Sequence, residues 1–353
     1  GHDLADGRTN HRASCELCRH ATSGEIQGCE DPLMQNVKLR QDVFEHSFER
    51  RYTSSKVTAF DGTPLRAYAS GNQGGKAVVI VLPCGMPAEL CDRWLKFLGR
   101  DYFTITWESR GLFEEPEDFD AMNCDVSAQA DDLFALMDHF DVKTAHVMGL
   151  CGGATIAIKA AATQPARVSS LSLWHGDFNL GVNSPQTVHQ RHLRSLMTII
   201  GTSRTQAVAL HKIFQQPAAI SVREDLASLV LYPYATPERL YRYGKLNGSI
   251  MNTDISDWLG RITQRTLVVT SESDSTTHPE GSIRVAKALS NATLRIEPAG
   301  DHLSLFDAEP HITTLAAQFI AGEPCLDTVR TNARGDSDRI QLAIKGVGDD
   351  VER

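Results

Sequence analysis

The hydrophobic positions of this chain change period several times, and the changes mark its elements. Two β-prone pieces, 52–60 and 65–70, flank Asp61-Gly62-Thr63-Pro64, whose turn chemistry predicts an antiparallel hairpin. Residues 77–82 are continuously apolar, the mark of a strand buried on both faces. An amphipathic helix is expected over about 88–98. Strand and helix then alternate: strand 102–107, helix 126–140, strand 145–150, helix 154–162 and strand 168–174. Alternation of this kind predicts a mostly parallel central sheet with helices on both sides.

After Trp174-His175-Gly176-Asp177 the pattern changes. Residues 179–258 hold only helix-like stretches, at 184–200, 204–214, 222–231 and 237–246. A helical insertion between two sheet strands reads as a cap over the sheet's open edge. Alternation resumes with strand 266–270, helix 279–289, strand 292–296 and a closing helix at 310–321. The expected organisation is an N-terminal arm 1–50, a core in two parts, 51–178 and 259–322, a cap 179–258 and a C-terminal tail 323–353. That tail is charged and rich in Gly and Asp, with one short apolar element at 340–344, and reads as an arm or a disordered segment.

Composition narrows the partners. The 353 residues carry a net charge of -9, which argues against a nucleic-acid partner because such a partner needs a basic face. No apolar run approaches membrane-spanning length, and the first residues lack the basic-then-apolar layout of a secretory signal. No membrane partner is expected. Eight cysteines spread through a chain of this size do not form a disulfide scaffold, so a reducing, cytoplasmic setting is expected. Cys15-Glu16-Leu17-Cys18, with His11, His20 and Cys29 nearby, supplies zinc-ligand types. A second Cys-x-x-Cys pair is missing, so the segment reads as an arm and no metal is expected.

One stretch carries the chemistry. The apolar run from Ala145 ends in Gly149-Leu150-Cys151-Gly152-Gly153, and a strongly helical sequence follows at once. Strand, sharp glycine-flanked turn and helix make a nucleophile elbow, here with cysteine at its tip. Glycines are needed because the nucleophile sits on strained backbone in a crowded turn. A thiol placed there stands at a helix N-terminus, whose partial positive charge favours thiolate.

In a parallel sheet the strand C-termini share one edge, where ligands and catalytic groups gather. Two further residues fall at such ends: Asp274, just past the strand at 266–270, and His302, just past the strand at 292–296. A thiol needs a base, imidazole serves near neutral pH, and a carboxylate fixes the imidazole's tautomer. Cys151, Asp274 and His302 are therefore the expected catalytic set. Asp177, after the preceding strand, is an alternative acid, and Glu272 a weaker rival. Cys84 is a second reactive-thiol candidate that lacks an elbow. It is expected to lie beside the site, close enough to Cys151 for a disulfide on oxidation.

These motifs together resemble the α/β-hydrolase superfamily over roughly 52–321. Besides the elbow, Pro83-Cys84-Gly85-Met86-Pro87 resembles the family's oxyanion loop, with Cys84 in place of histidine. Trp107-Glu108-Ser109-Arg110-Gly111 is similar to the segment that follows the next strand, and 127–136 to the helix before the elbow strand. The resemblance implies an α/β-hydrolase fold: a mostly parallel sheet flanked by helices, with a helical cap. It also implies Asp274 as acid, His302 as base, and backbone N–H groups of Met86 and Gly152 as the oxyanion hole. The activity implied is acyl transfer through an acyl-cysteine thioester. Hydrolase, thioesterase, acyltransferase and cyclase are the outcomes, on a small-molecule or carrier- or CoA-bound acyl substrate and without a cofactor. A non-catalytic small-molecule binder of the same fold is the alternative. A pure binder has no need of the triad.

Overall fold

The computed structural model describes residues 48–215 and 222–331. The cysteines at 15, 18 and 29 and the apolar element at 340–344 lie outside the described residues. Nine strands form one sheet: β1 (Ser54–Thr58), β2 (Pro64–Ser70), β3 (Ala77–Val81), β4 (Phe103–Trp107), β5 (Ala145–Leu150), β6 (Val168–Trp174), β7 (Thr266–Ser271), β8 (Ala292–Glu297) and β9 (Val329–Thr331). Their order across the sheet is β1-β2-β4-β3-β5-β6-β7-β8-β9. Strands β3 to β8 run parallel, while the β1–β2 hairpin and β9 close the two edges antiparallel.

Every residue of β3, β4 and β5 is buried, which is why β3 reads as an unbroken apolar run and why β4 and β5 admit only Thr104, Thr106 and His146 among apolar residues and glycine. Alternate residues serve opposite faces. Val79 and Val81 join one core layer with Val147, whereas Val78 and Ile80 join the other with Met148, Trp94 and Trp174. The helices that cover the faces are α1 (Asp92–Leu98), α2 (Val126–His139) and α3 (Gly153–Thr163). The cap adds α4 (Val188–Ile200), α5 (Arg204–Phe214) and α6 (Pro237–Asn252), and the second half of the core adds α7 (Pro279–Ala288) and α8 (Pro310–Ala321).

Each cap helix begins on a hydroxyl residue, Thr187, Ser203 or Thr236, whose side chain accepts an N–H of the first turn. Helices α4 and α6 meet closely where Gly201 faces Gly244; a Cβ on Gly244 would stand 2.7 Å from Ile200 Cγ2. Four expectations shift. The helix expected over 222–231 is reduced to the turn Ala227–Val230, and α6 runs six residues beyond its expected end at 246. The tail expected from 323 contributes β9, whose residues pair with Ala292–Leu294 of the edge strand β8. Phe48, placed in the expected arm, is buried against Tyr52 and Tyr68, at ring distances of 4.9 and 5.0 Å.

Candidate active site

Cys151 lies between β5 and α3 with φ of 51°, a left-handed conformation costly for any residue with a side chain. Hydrogen bonds hold it there. Its N–H donates to the Trp174 carbonyl at 2.9 Å, and its own carbonyl accepts from Ala154 N at 3.0 Å and Asp177 N at 3.2 Å. The glycines around it differ in purpose. A Cβ on Gly149 would lie 2.6 Å from Ala154 Cα, and one on Gly153 would lie 2.3 Å from the Val81 carbonyl oxygen. At Gly152 the nearest atom to such a Cβ is 3.5 Å away. Gly149 and Gly153 are required by space, and Gly152 is not.

Asp274 and His302 converge on this elbow from the ends of β7 and β8. His302 opens a short 3-10 turn (His302–Asp307) capped by Asp301, whose side chain accepts from Leu303 N and Ser304 N. Its Nδ1 sits 2.8 Å from Asp274 Oδ2, which leaves Nε2 for the cavity that Cys151 also lines. Asp274 is almost fully buried and unusually well supplied with donors. Oδ1 accepts the backbone N–H groups of Thr276 (2.8 Å) and Thr277 (2.9 Å), and Oδ2 lies 2.9 Å from the Thr277 hydroxyl.

A second imidazole shares that oxygen. His175, buried at the end of β6 with φ of 48°, places Nδ1 2.9 Å from Asp274 Oδ2. The sequence marks His175 only as part of a polar tripeptide after an apolar strand. Its role appears when the ends of β6 and β7 are brought side by side. The ligand atoms of His175, Asp274 and His302 all lie within 4.8 Å of one another, the one metal-like cluster among the described residues. Nitrogen-to-oxygen distances of 2.8 and 2.9 Å are those of hydrogen bonds, and both imidazole Nδ1 atoms spend themselves on the carboxylate.

The electrostatics follow from these contacts. Burial would raise the Asp274 carboxyl, but hydrogen bonds from His175 and His302 and their charge outweigh it and hold it far below the usual range. Burial works against a charged His302. A Cys151 thiolate and hydrogen bonds to Asp274 and Cys151 prevail, so His302 stands well above the ordinary imidazole value. A charged imidazole is thereby favoured beside the elbow. Cys84 has no such help: burial pushes its thiol up to about 12. Both thiols are free, and both line the same cavity.

The remaining candidates separate. Asp177 also faces this cavity, yet its Oδ1 accepts from Gln190 Nε2 at 2.7 Å while both imidazoles go to Asp274. Glu272 is exposed. The loop 83–87, expected to hold the oxyanion, is braced by the segment after β4: Gly85 N donates to Ser109 Oγ and Ala88 N to Glu108 Oε1, each at 2.9 Å. Gly85 has φ of 78°, and a Cβ there would press within 2.8 Å of the Tyr243 ring. Met86 N lies 3.2 Å from the Pro83 carbonyl oxygen, a long bond that an incoming anion would have to displace or share. Gly152 stands at the N-cap of α3, where helical geometry leaves the N–H without an intrahelical acceptor.

Above Cys151, Asp274 and His302 a cavity of about 640 Å³ opens between the strand ends and the cap. Cys151, Met86 and His302 form its base; Leu193, Phe214 and Tyr243 are among the cap side chains that wall it. No described helix is long and apolar enough to cross a membrane.

A mostly parallel sheet, a strained elbow and a carboxylate–imidazole pair at adjoining strand ends define an α/β-hydrolase architecture. Comparison with solved structures agrees. MGS-M2, an α/β-hydrolase enzyme from a Medee basin deep-sea metagenome library, superposes with a TM-score of 0.59 at 19% identity, covering 77% of this chain and 99% of that one. The esterase RhEst1 from Rhodococcus sp. ECU1013 gives a TM-score of 0.61 at 16% identity, over 77% of this chain and 100% of that one. The chain has the α/β-hydrolase fold. In sequence it is 26% identical over 261 residues to a protein named as a carbamate hydrolase, RutD, from Variovorax paradoxus strain S110, covering 72% of this chain and 93% of that one. No family model matches the chain.

Proposed function

We propose that this protein is a hydrolase that acts through an acyl-Cys151 thioester. The observation that carries the reading is a thiol on a strained elbow that shares one cavity with an imidazole whose Nδ1 lies 2.8 Å from a buried carboxylate. The similar proteins are named as an α/β-hydrolase enzyme, an esterase and a carbamate hydrolase, and the last two names denote opening of a bond at a carbonyl carbon.

In the first half-reaction the Cys151 thiolate attacks the carbonyl carbon, and the carbonyl π pair moves to oxygen. Backbone N–H groups of Met86 and Gly152 receive that oxyanion. Each such donor is worth roughly 2.7–4 kcal/mol where it has been deleted in other enzymes. An oxyanion is a stronger acceptor than the Pro83 carbonyl and competes well for the Met86 N–H. Collapse breaks the bond to the leaving heteroatom, which takes the proton from His302 Nε2. In the second half-reaction His302 accepts a proton from water, and the hydroxide attacks the thioester carbon. Collapse returns the electron pair to Sγ and releases the carboxylic acid. An amine or alcohol in place of water would make the same intermediate a transferase, and an internal carbanion a cyclase.

Intact-protein mass spectrometry with activated esters and acyl-thioesters tests this. The expected result is one acyl adduct, mapped to Cys151 and lost in Cys151→Ala. Turnover of these donors without any Cys151 adduct under rapid quench would overturn it.

A further inference from the structure

Asp177 is a carboxylate that the proposed mechanism leaves idle. It is 7% exposed and faces the cavity, where it is the one carboxylate among the described lining residues; none of them is Lys or Arg. Its placement is constructed with care. Gln190 Oε1 accepts the N–H groups of Thr187 and His278, each at 3.0 Å. That fixes the amide so that Nε2 points at Asp177 Oδ1, 2.7 Å away. The backbone of Asp177 is tied to the elbow itself: its N–H donates to the Cys151 carbonyl at 3.2 Å, and its carbonyl accepts from Thr155 Oγ1 at 3.0 Å.

A buried carboxylate with one neutral hydrogen bond is poorly compensated, because an amide returns little of the solvation that burial removes. Burial accordingly pushes its carboxyl up, against the Gln190 hydrogen bond and the charges of Arg194, His302 and His189. Arg194 and His189 act on it through charge and do not hydrogen-bond it. A cationic donor on a ligand would complete this environment.

We propose that Asp177 is a substrate-recognition residue whose carboxylate binds an amino group on the acyl carbons next to the reacting carbonyl. The preferred substrates are then apolar acyl groups with an amino substituent close to the carbonyl. The apolar walls formed by residues such as Leu193, Leu196 and Met251 take the chain, and the absence of a lining Lys or Arg disfavours anionic chains. Proximity to Cys151 sets the position of the amine. The inference rests on the acyl-Cys151 reading, which supplies the site of reaction.

The test compares two 4-nitrophenyl esters with one carbon skeleton, those of leucine and of 4-methylpentanoic acid, on the full chain. The wild type is expected to favour the leucine ester in kcat/KM, and Asp177→Asn to cut that ratio at least tenfold, mainly through KM. Intrinsic reactivity of the amino ester enters both proteins' ratios alike and cancels when the two ratios are compared. An equal ratio in both proteins overturns the inference. Calorimetric titration with leucinol and with 4-methylpentan-1-ol, which carry no acyl group, supplies a second readout. Tenfold tighter binding of leucinol to the wild type supports the inference, and discrimination below twofold overturns it even if Asp177→Asn does not fold. The two readings fail separately. Acylation of Cys151 by both esters without amine preference sinks only the role of Asp177. Turnover of both esters without acylation of Cys151 sinks the thioester, and the leucinol titration still decides the carboxylate.

Discussion

The two walls of the cavity are built on different principles. On the sheet side, groups are held by backbone: Cys151 by three main-chain hydrogen bonds, Asp274 by two N–H groups, and the elbow by glycines against which no Cβ fits. On the cap side, the walls are side chains that project from helices, such as Leu193 and Leu196 of α4. Chemistry needs positions held within a fraction of an ångström, and selectivity needs a surface that can vary. Substitutions on the two sides should therefore fail in different ways.

The largest effect is expected at the thiol. Cys151→Ala should lower turnover by about 10⁴-fold or more, since no other group completes the acyl transfer. The fold should remain, because the elbow's bonds are made by backbone atoms. Residual activity within tenfold of wild type would place the chemistry elsewhere.

Asp274→Asn comes next, at on the order of 10²–10⁴-fold in kcat/KM, and pH is its sharper readout. The His302 value is raised, so its proton is retained above the ordinary imidazole value of about 6.5. Activity that uses this proton for the leaving group should hold through neutrality and fall as pH rises through the raised value. The linkage sign is the same for stability: this contribution is full below about pH 6.5 and is lost as pH rises through the folded-state value. Asp274 is lowered, remains charged throughout, and adds no limb at working pH. Replacing it by Asn removes a hydrogen bond and a charge that raise His302. The alkaline limb of the kcat/KM profile should move down; a limb that stays in place contradicts the assignment of Asp274.

A paired glycine experiment probes the rigid wall directly. Gly153→Ala puts a methyl 2.3 Å from the Val81 carbonyl oxygen and should cost about 3 kcal/mol in urea unfolding. Gly152→Ala meets nothing nearer than 3.5 Å and should cost less than about 1 kcal/mol. Equal costs would mean that the turn relaxes, and the sheet side would lose its claim to rigidity.

The same division explains what the sequence disclosed. The elbow, Asp274 and His302 were legible because each follows an apolar strand, and the glycine pattern around Cys151 is local. His175 was not, because its partner Asp274 is 99 residues away and meets it only across neighbouring strand ends. The polar run His175-Gly176-Asp177 after β6 was the available signal. In the cap, residues 222–231 looked helical but form only the turn Ala227–Val230. Helical periodicity is a weak prior for a short segment whose conformation is set by packing. β9 escaped because three residues carry little pattern, and they form a strand only against β8.

The smallest effect is expected on the cap wall, where aromatic contacts make a graded test. Phe214 meets Tyr234 edge-on at 5.4 Å, Tyr234 meets Tyr243 at 5.5 Å, and Tyr243 lies against Gly85 of the oxyanion loop. Phe214→Ala removes the outermost ring and enlarges the cavity, so it should raise KM for short acyl esters by up to about tenfold and favour longer ones. Its kcat should change little, since the contact with Gly85 remains. Tyr243→Leu removes the ring that bears on the loop, and its kcat should fall as well. A matching loss of kcat in Phe214→Ala would show that the cap transmits its packing to the oxyanion donors. The two walls would then be one device, with selectivity and chemistry no longer separable by side.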